Sequence, residues 1–157
     1  MTRAPVALAC LAALAACHRA PAVPAPTASP TPSAAAAAGP SLYTRLGGVE
    51  AIRTVVGDFL GRIVADQRIN AFFRGVDTGE LAAKLTDQIC QVSGGPCRYT
   101  GRPMREVHAG LGISDADFDA LVEDLAAALD HFKVGPAEER ELVTALGGLR
   151  RAIVTKR

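Results

Sequence analysis

The chain has 157 residues, with 17 lysines and arginines against 16 aspartates and glutamates and a formal net charge of +1 with histidine neutral. Charges of both signs are interspersed, which argues against a nucleic-acid surface. The 49% hydrophobic content is inflated by an alanine-rich start and does not imply a membrane-spanning domain.

Met1, Thr2 and Arg3 form a short positive start before a small, apolar run from Ala4 to Ala16, about the length of a signal-peptide core. Such a run is too short to span a bilayer stably. Leu14-Ala15-Ala16-Cys17 resembles the lipobox of bacterial lipoproteins, in which the signal is cut before a cysteine that then carries lipid. Residues 1–16 are thus expected to be a lipoprotein signal peptide and Cys17 a lipid anchor, while Cys10 leaves with the signal. In residues 17–40, Pro21, Pro24, Pro26, Pro30, Pro32 and Pro40 alternate with alanine, and no aromatic residue occurs. This stretch cannot bury a core and reads as an extended tether. Residues 41–157 remain as one domain with enough chain for a core. The expected location is the cell envelope, with the domain lipid-anchored to a bacterial membrane and lying in the periplasm or outside the cell.

Within that domain, Val49, Ile52, Val55, Val56, Phe59, Leu60, Ile63 and Val64 recur at helical spacing. Gly57 and Gly61, four apart on the same segment, would let another backbone come close. A turn at Ala65-Asp66-Gln67 leads to Phe72-Phe73. Leu81, Leu85, Ile89 and Val92 form the next stripe, ending at Gly94-Gly95-Pro96. Ser114 and Asp117 have capping-box spacing and open a helix carrying Phe118, Leu121, Val122, Leu125, Leu129 and Phe132. His131, near its carboxyl end, reads as a residue without a special role. Gly135-Pro136 and Glu138-Glu139 open a last helix with Leu142, Leu146, Leu149 and Ile153 on one side. The pairs Arg150-Arg151 and Lys156-Arg157 decorate its exposed side and frayed end. No alternating run predicts a strand, so the domain is expected to be all-α.

The order of Ser41-Leu42-Tyr43, Leu46-Gly47-Gly48, Asp58-Phe59, Ala71-Phe72-Phe73, Gly94-Gly95-Pro96, Tyr99-Thr100-Gly101, Met104, Val107-His108 and Gly110-Leu111-Gly112-Ile113 resembles the group I truncated haemoglobins. The resemblance covers essentially the whole domain. It implies a truncated globin-like, two-over-two helical sandwich around haem b, with His108 as the proximal ligand to iron. A lone histidine is by itself more often structural, and the surrounding motif is what singles out His108. The resemblance also implies that Phe73 stacks on the haem and that Lys84 reaches a propionate. Met104, Val107, Ile113 and Phe118 would line the proximal side. These assignments suit the cofactor, which needs apolar walls, one strong axial ligand and cations near its propionate edge.

Members of this group often carry a tyrosine after Asp-Phe and a glutamine on the distal helix, both donating hydrogen bonds to dioxygen. The matching positions here are Leu60 and Leu85, with Leu81 one turn earlier, so Phe59, Leu60, Leu81 and Leu85 are expected to form a donor-free distal wall. Thr86 or Gln88 would reach inward only from a rotated helix. The ligands implied are oxygen, nitric oxide or carbon monoxide, for oxygen binding and transport or nitric oxide handling. Any enzymatic turnover would require an external electron donor. A monomer or weak homo-oligomer is expected.

Cys90 and Cys97 flank Gln-Val-Ser-Gly-Gly-Pro, and an envelope location is oxidising. A disulfide is expected, against buried free thiols or a redox couple. Two readings from other classes stay open at this point: a haem-free helical binding module on a globin scaffold, and a Cys90/Cys97 thiol sensor.

Overall fold

The structure, a computed structural model, describes residues 39–156. The expected signal segment, Cys17 and all of the tether except Gly39 and Pro40 lie outside them. Seven α-helices follow one another: α1 (Leu42–Arg45), α2 (Gly48–Ala65), α3 (Thr78–Val92), α4 (Met104–Val107), α5 (Asp115–His131), α6 (Pro136–Gly147) and α7 (Arg150–Ile153), with a 3₁₀ turn at Asn70–Phe73 between α2 and α3. No strand occurs among the described residues.

The architecture is a two-over-two helical sandwich. Helix α2 packs on both α3 and α5, α5 on α6, and α4 on α7. The chain enters α2 through Gly47 and Gly48 at φ 92° and 80°, left-handed angles that only glycine takes cheaply. From there Ile52, Val56, Phe59 and Ile63 repeat every three or four residues and are buried. Asp77 caps α3 by accepting from the Glu80 amide at 2.9 Å. Ser114 and Asp117 form the expected reciprocal capping box at the start of α5. Pro136 fills the first turn of α6, where its missing N–H costs nothing. The centre of the core is Val56, Ile63, Cys90, Ala128, Leu129 and Leu142, each with at most 1% of its surface exposed.

Four local expectations change. The last helix is not continuous: the path tightens at Gly147-Gly148, where the Leu149 amide bonds the Leu146 carbonyl at 2.9 Å, an i to i+3 bond, before α7 begins. Gly57 and Gly61 receive no neighbouring backbone, since a Cβ at either position would meet nothing within 4 Å. Val64, Val92 and Phe132, placed on apolar stripes by their spacing, are 53%, 39% and 40% exposed. Each is at or next to a helix end. Arg150 is not surface decoration, because it bonds Asp115 and Asp119.

Candidate functional site

Between α3 on one side and α4, α5 and α7 on the other lies an apolar cavity in two adjoining parts of about 180 and 350 Å³. The parts share Phe73, Leu81, Val107, His108, Phe118, Leu121 and Ile153 as walls. Each supplying element has a local reason for its position. The 3₁₀ turn presents Phe73, and successive turns of α3 present Leu81, Lys84 and Leu85 on one side. Met104, Val107 and His108 come from the single turn of α4 and its C-cap.

His108 is the chemical centre of this wall. Its Nδ1 lies 2.7 Å from the Met104 carbonyl oxygen, one turn earlier. A carbonyl can only accept, so Nδ1 carries the proton and donates. In the neutral ring the Nε2 lone pair is then left for a metal, and the hydrogen bond orients the ring. No group of three histidine, cysteine, aspartate or glutamate side chains capable of holding a bare ion occurs among the described residues. One imidazole in an apolar slot instead suits a metal whose other ligands arrive in a macrocycle.

The rest of the slot fits such a group. Lys84 lines the cavity and donates from Nζ to the Thr100 hydroxyl at 3.2 Å, with no carboxylate partner among the described residues. Arg102, which the sequence reading passed over, lines the larger part and also lacks a carboxylate partner there. Two cations at the edge of an apolar slot match a flat ligand with an anionic rim.

On the α3 side, Leu81 and Leu85 face the cavity together with Phe59 and Ile63 of α2. Leu60 does not line it: the residue is 7% exposed within the main core. Successive helical residues point about 100° apart, and here Phe59 takes the position on the slot while Leu60 does not reach it. Thr86 is buried with its hydroxyl unpartnered and does not line the cavity. Gln88 does line it, with Nε2 3.7 Å from Met104 Sδ. Ile113 borders only the larger part. Leu121 and Leu125, already visible on the α5 stripe, complete one wall, and Leu149 and Ile153 close it from the C-terminal end.

Cys90 and Cys97 are joined in a disulfide with Cα atoms 5.7 Å apart. Beyond it the chain returns alongside α3, where the Tyr99 amide donates to Gln91 Oε1 at 2.6 Å. Tyr99 lines the cavity, and its hydroxyl donates to the Arg102 carbonyl at 3.1 Å. The bridge therefore fastens the loop that carries both residues.

Comparison with known proteins agrees with this geometry. Residues 41–155 match the family model described as bacterial-like globin. The chain is 36% identical over 115 residues to a group 1 truncated hemoglobin of Mycolicibacterium paratuberculosis, covering 73% of this chain and 85% of that protein. It is 32% identical over 116 residues to that of Tetrahymena pyriformis, covering 74% and 96%. The crystal structure of the Tetrahymena pyriformis truncated hemoglobin in its Fe(III) form superposes with a TM-score of 0.72 over 74% of this chain and 100% of that one.

Proposed function

The chain belongs to the bacterial-like globins, among relatives that are group 1 truncated haemoglobins, and from that membership we propose that it binds diatomic gases reversibly at haem iron held by His108. The observation that carries this reading is the His108 ring in the wall of an apolar slot, its Nδ1 bonded to Met104. Haem b, when bound, would supply the iron at which a small diatomic ligand binds.

The chain's own residues bind and tune that group. His108 offers Nε2 and is kept in one orientation by the Met104 carbonyl. Phe73 and Phe118 supply flat apolar surface, and Lys84 and Arg102 stand where anionic substituents would emerge. Leu81, Leu85, Phe59 and Ile63 line the α3 side with apolar surface and offer no donor; Gln88 also lines the cavity, with its Nε2 turned to Met104 Sδ at 3.7 Å. A gas that depends on hydrogen bonding for retention is held less well in such a pocket than one that does not. Oxygen, nitric oxide and carbon monoxide are the ligands this reading covers, and sustained nitric oxide turnover would require an external reductant. The apolar run before Cys17 supports a lipid-anchored protein of the bacterial envelope. Cys17→Ser is expected to shift the protein to the soluble fraction, and unchanged membrane association would overturn the anchor.

The deciding experiment is the absorption spectrum of the chain in ferric, ferrous and carbon monoxide-bound states, beside His108→Gly. A Soret band with a histidine-ligated signature that His108→Gly loses and added imidazole restores is expected. Failure to take up stoichiometric haem would overturn the reading.

A further inference from the structure

Arg150 stands at the start of α7, far in sequence from the residues it touches. Its Nη1 donates to Asp115 Oδ1 at 2.8 Å, its Nη2 pairs with Asp119, and its guanidinium carbon lies 4.4 Å from the centroid of the Phe118 ring. Phe118 is 4% exposed and lines both parts of the cavity. At the other end of α7, the Ile113 carbonyl accepts from the amides of Thr155 and Lys156, both at 2.9 Å. The four-residue helix is thus tied at both ends to the beginning of α5. Between the ties, Ile153 is 9% exposed and lines both parts of the cavity, and α4, which leads into His108, packs against the same helix.

A single helical turn has almost no stability of its own, so the position of α7 is set by what fastens it. Each exposed ion pair alone contributes little. A planar guanidinium held by two carboxylates over an aromatic face combines three weak contacts on one side chain. Phe118 lies between Asp115 and Asp119 on α5, so the same fork that grips the two carboxylates covers the ring.

We propose that Arg150 is a positioning residue for the haem: it latches Phe118 and α7 onto the wall beside His108 and so slows haem loss, touching neither iron nor gas. The proposal rests on the haem reading above. Lysine at this position would keep the charge but lose the fork and the flat face.

The test follows transfer of ferric haem from the reconstituted full chain to excess apomyoglobin. The chains compared are wild type, R150Q, R150K, the double variant D115N/D119N, and R53Q, which removes the exposed Arg53–Glu50 pair on α2. Urea stability of each apoprotein is measured in parallel. R150Q is expected to lose haem about tenfold faster, D115N/D119N to move the same way, R150K to fall between, and R53Q to match wild type. The ferrous iron–histidine stretching band should shift in R150Q but not in R53Q. Should R150Q fail to fold, D115N/D119N and R150K carry the comparison. Equal release from wild type and the latch variants would overturn the proposal, as would release that merely tracks apoprotein stability across all variants. A wild type that retains haem while R150Q releases it no faster sinks the latch alone, whereas a wild type that takes up no haem sinks the haem reading as well.

Discussion

The Nδ1 of His108 donates to the carbonyl oxygen of Met104 across 2.7 Å. In His108→Gly this acceptor is left facing a hole. Added imidazole can restore both the axial ligand and the hydrogen bond, whereas 1-methylimidazole restores only the ligand. Imidazole is therefore expected to rescue the Soret band at roughly two- to tenfold lower concentration, the worth of one net hydrogen bond. Equal titration midpoints for the two compounds would show that the Met104 contact contributes nothing.

Leu81 and Leu85 line the cavity on the α3 side and offer no donor themselves, while Lys84 between them donates to the Thr100 hydroxyl. Leu85→Gln places an amide there and should slow dioxygen dissociation by about tenfold or more, as expected for a bond to a partly charged acceptor. Carbon monoxide dissociation should change much less. Leu60→Tyr is expected to act mainly through stability, because Leu60 is 7% exposed within the packed core and a larger side chain there costs about 1–3 kcal/mol. Stopped-flow dissociation rates of the two variants decide the matter.

Two glycines should respond in opposite directions to alanine. At Gly95 a Cβ would lie 2.5 Å from Tyr43 Cδ2, 2.7 Å from Cys90 Sγ and 2.8 Å from the Cys90 carbonyl oxygen. Gly95→Ala is expected to destabilise by about 1–3 kcal/mol. Gly57 sits mid-helix with nothing within 4 Å of a Cβ, so Gly57→Ala should stabilise by about 0.5–1 kcal/mol. Urea midpoints of the two variants against wild type check both signs.

The Cys90–Cys97 bridge closes a short loop, with a sequence separation of 7. Cys97→Ser should cost about 2 kcal/mol under oxidising conditions. Reductant should lower the wild-type urea midpoint toward that of the variant and leave the variant unmoved. Identical midpoints with and without reductant would mean that the bridge does not contribute to stability.

Asp58 and Asp124 should impose opposite pH dependences. The Arg62 hydrogen bond, aided by His131 and opposed by partial burial, holds the Asp58 carboxyl below its ordinary value. Its stabilisation is present above the unfolded pKa of about 4 and lost as pH falls through the lower folded value. Burial raises Asp124, whose Oδ2 has no partner. There the folded state holds the proton more firmly than the unfolded chain, so stability falls as pH rises from the ordinary carboxyl range through the folded value. Asp58→Asn is expected to lower stability at neutral pH and flatten the acid limb, and Asp124→Asn to raise stability at neutral pH. Urea midpoints measured from acid to neutral pH will show whether the two signs differ.

Local pattern determined much of this protein. The spacing of apolar residues marked α2, α3 and α5, and the Ser114–Asp117 pair and Pro136 marked where helices begin, because caps and periodicity depend on residues within a turn or two of each other. His108, Phe73 and Met104 stood in an ordered motif and Lys84 at a position the resemblance implied, and the structure gathers all four at one cavity. Tertiary packing decided the rest. Whether Phe59 or its neighbour Leu60 faces the slot depends on a 100° step that a wide apolar stripe does not resolve. Packing also decides that Val64 and Phe132, at helix ends, are exposed and that Gly57 and Gly61 lie on the solvent side of α2. Arg150 reaches Asp115 and Asp119 across 35 and 31 residues. No local rule pairs charges at that distance, since only the folded chain brings α7 against the start of α5.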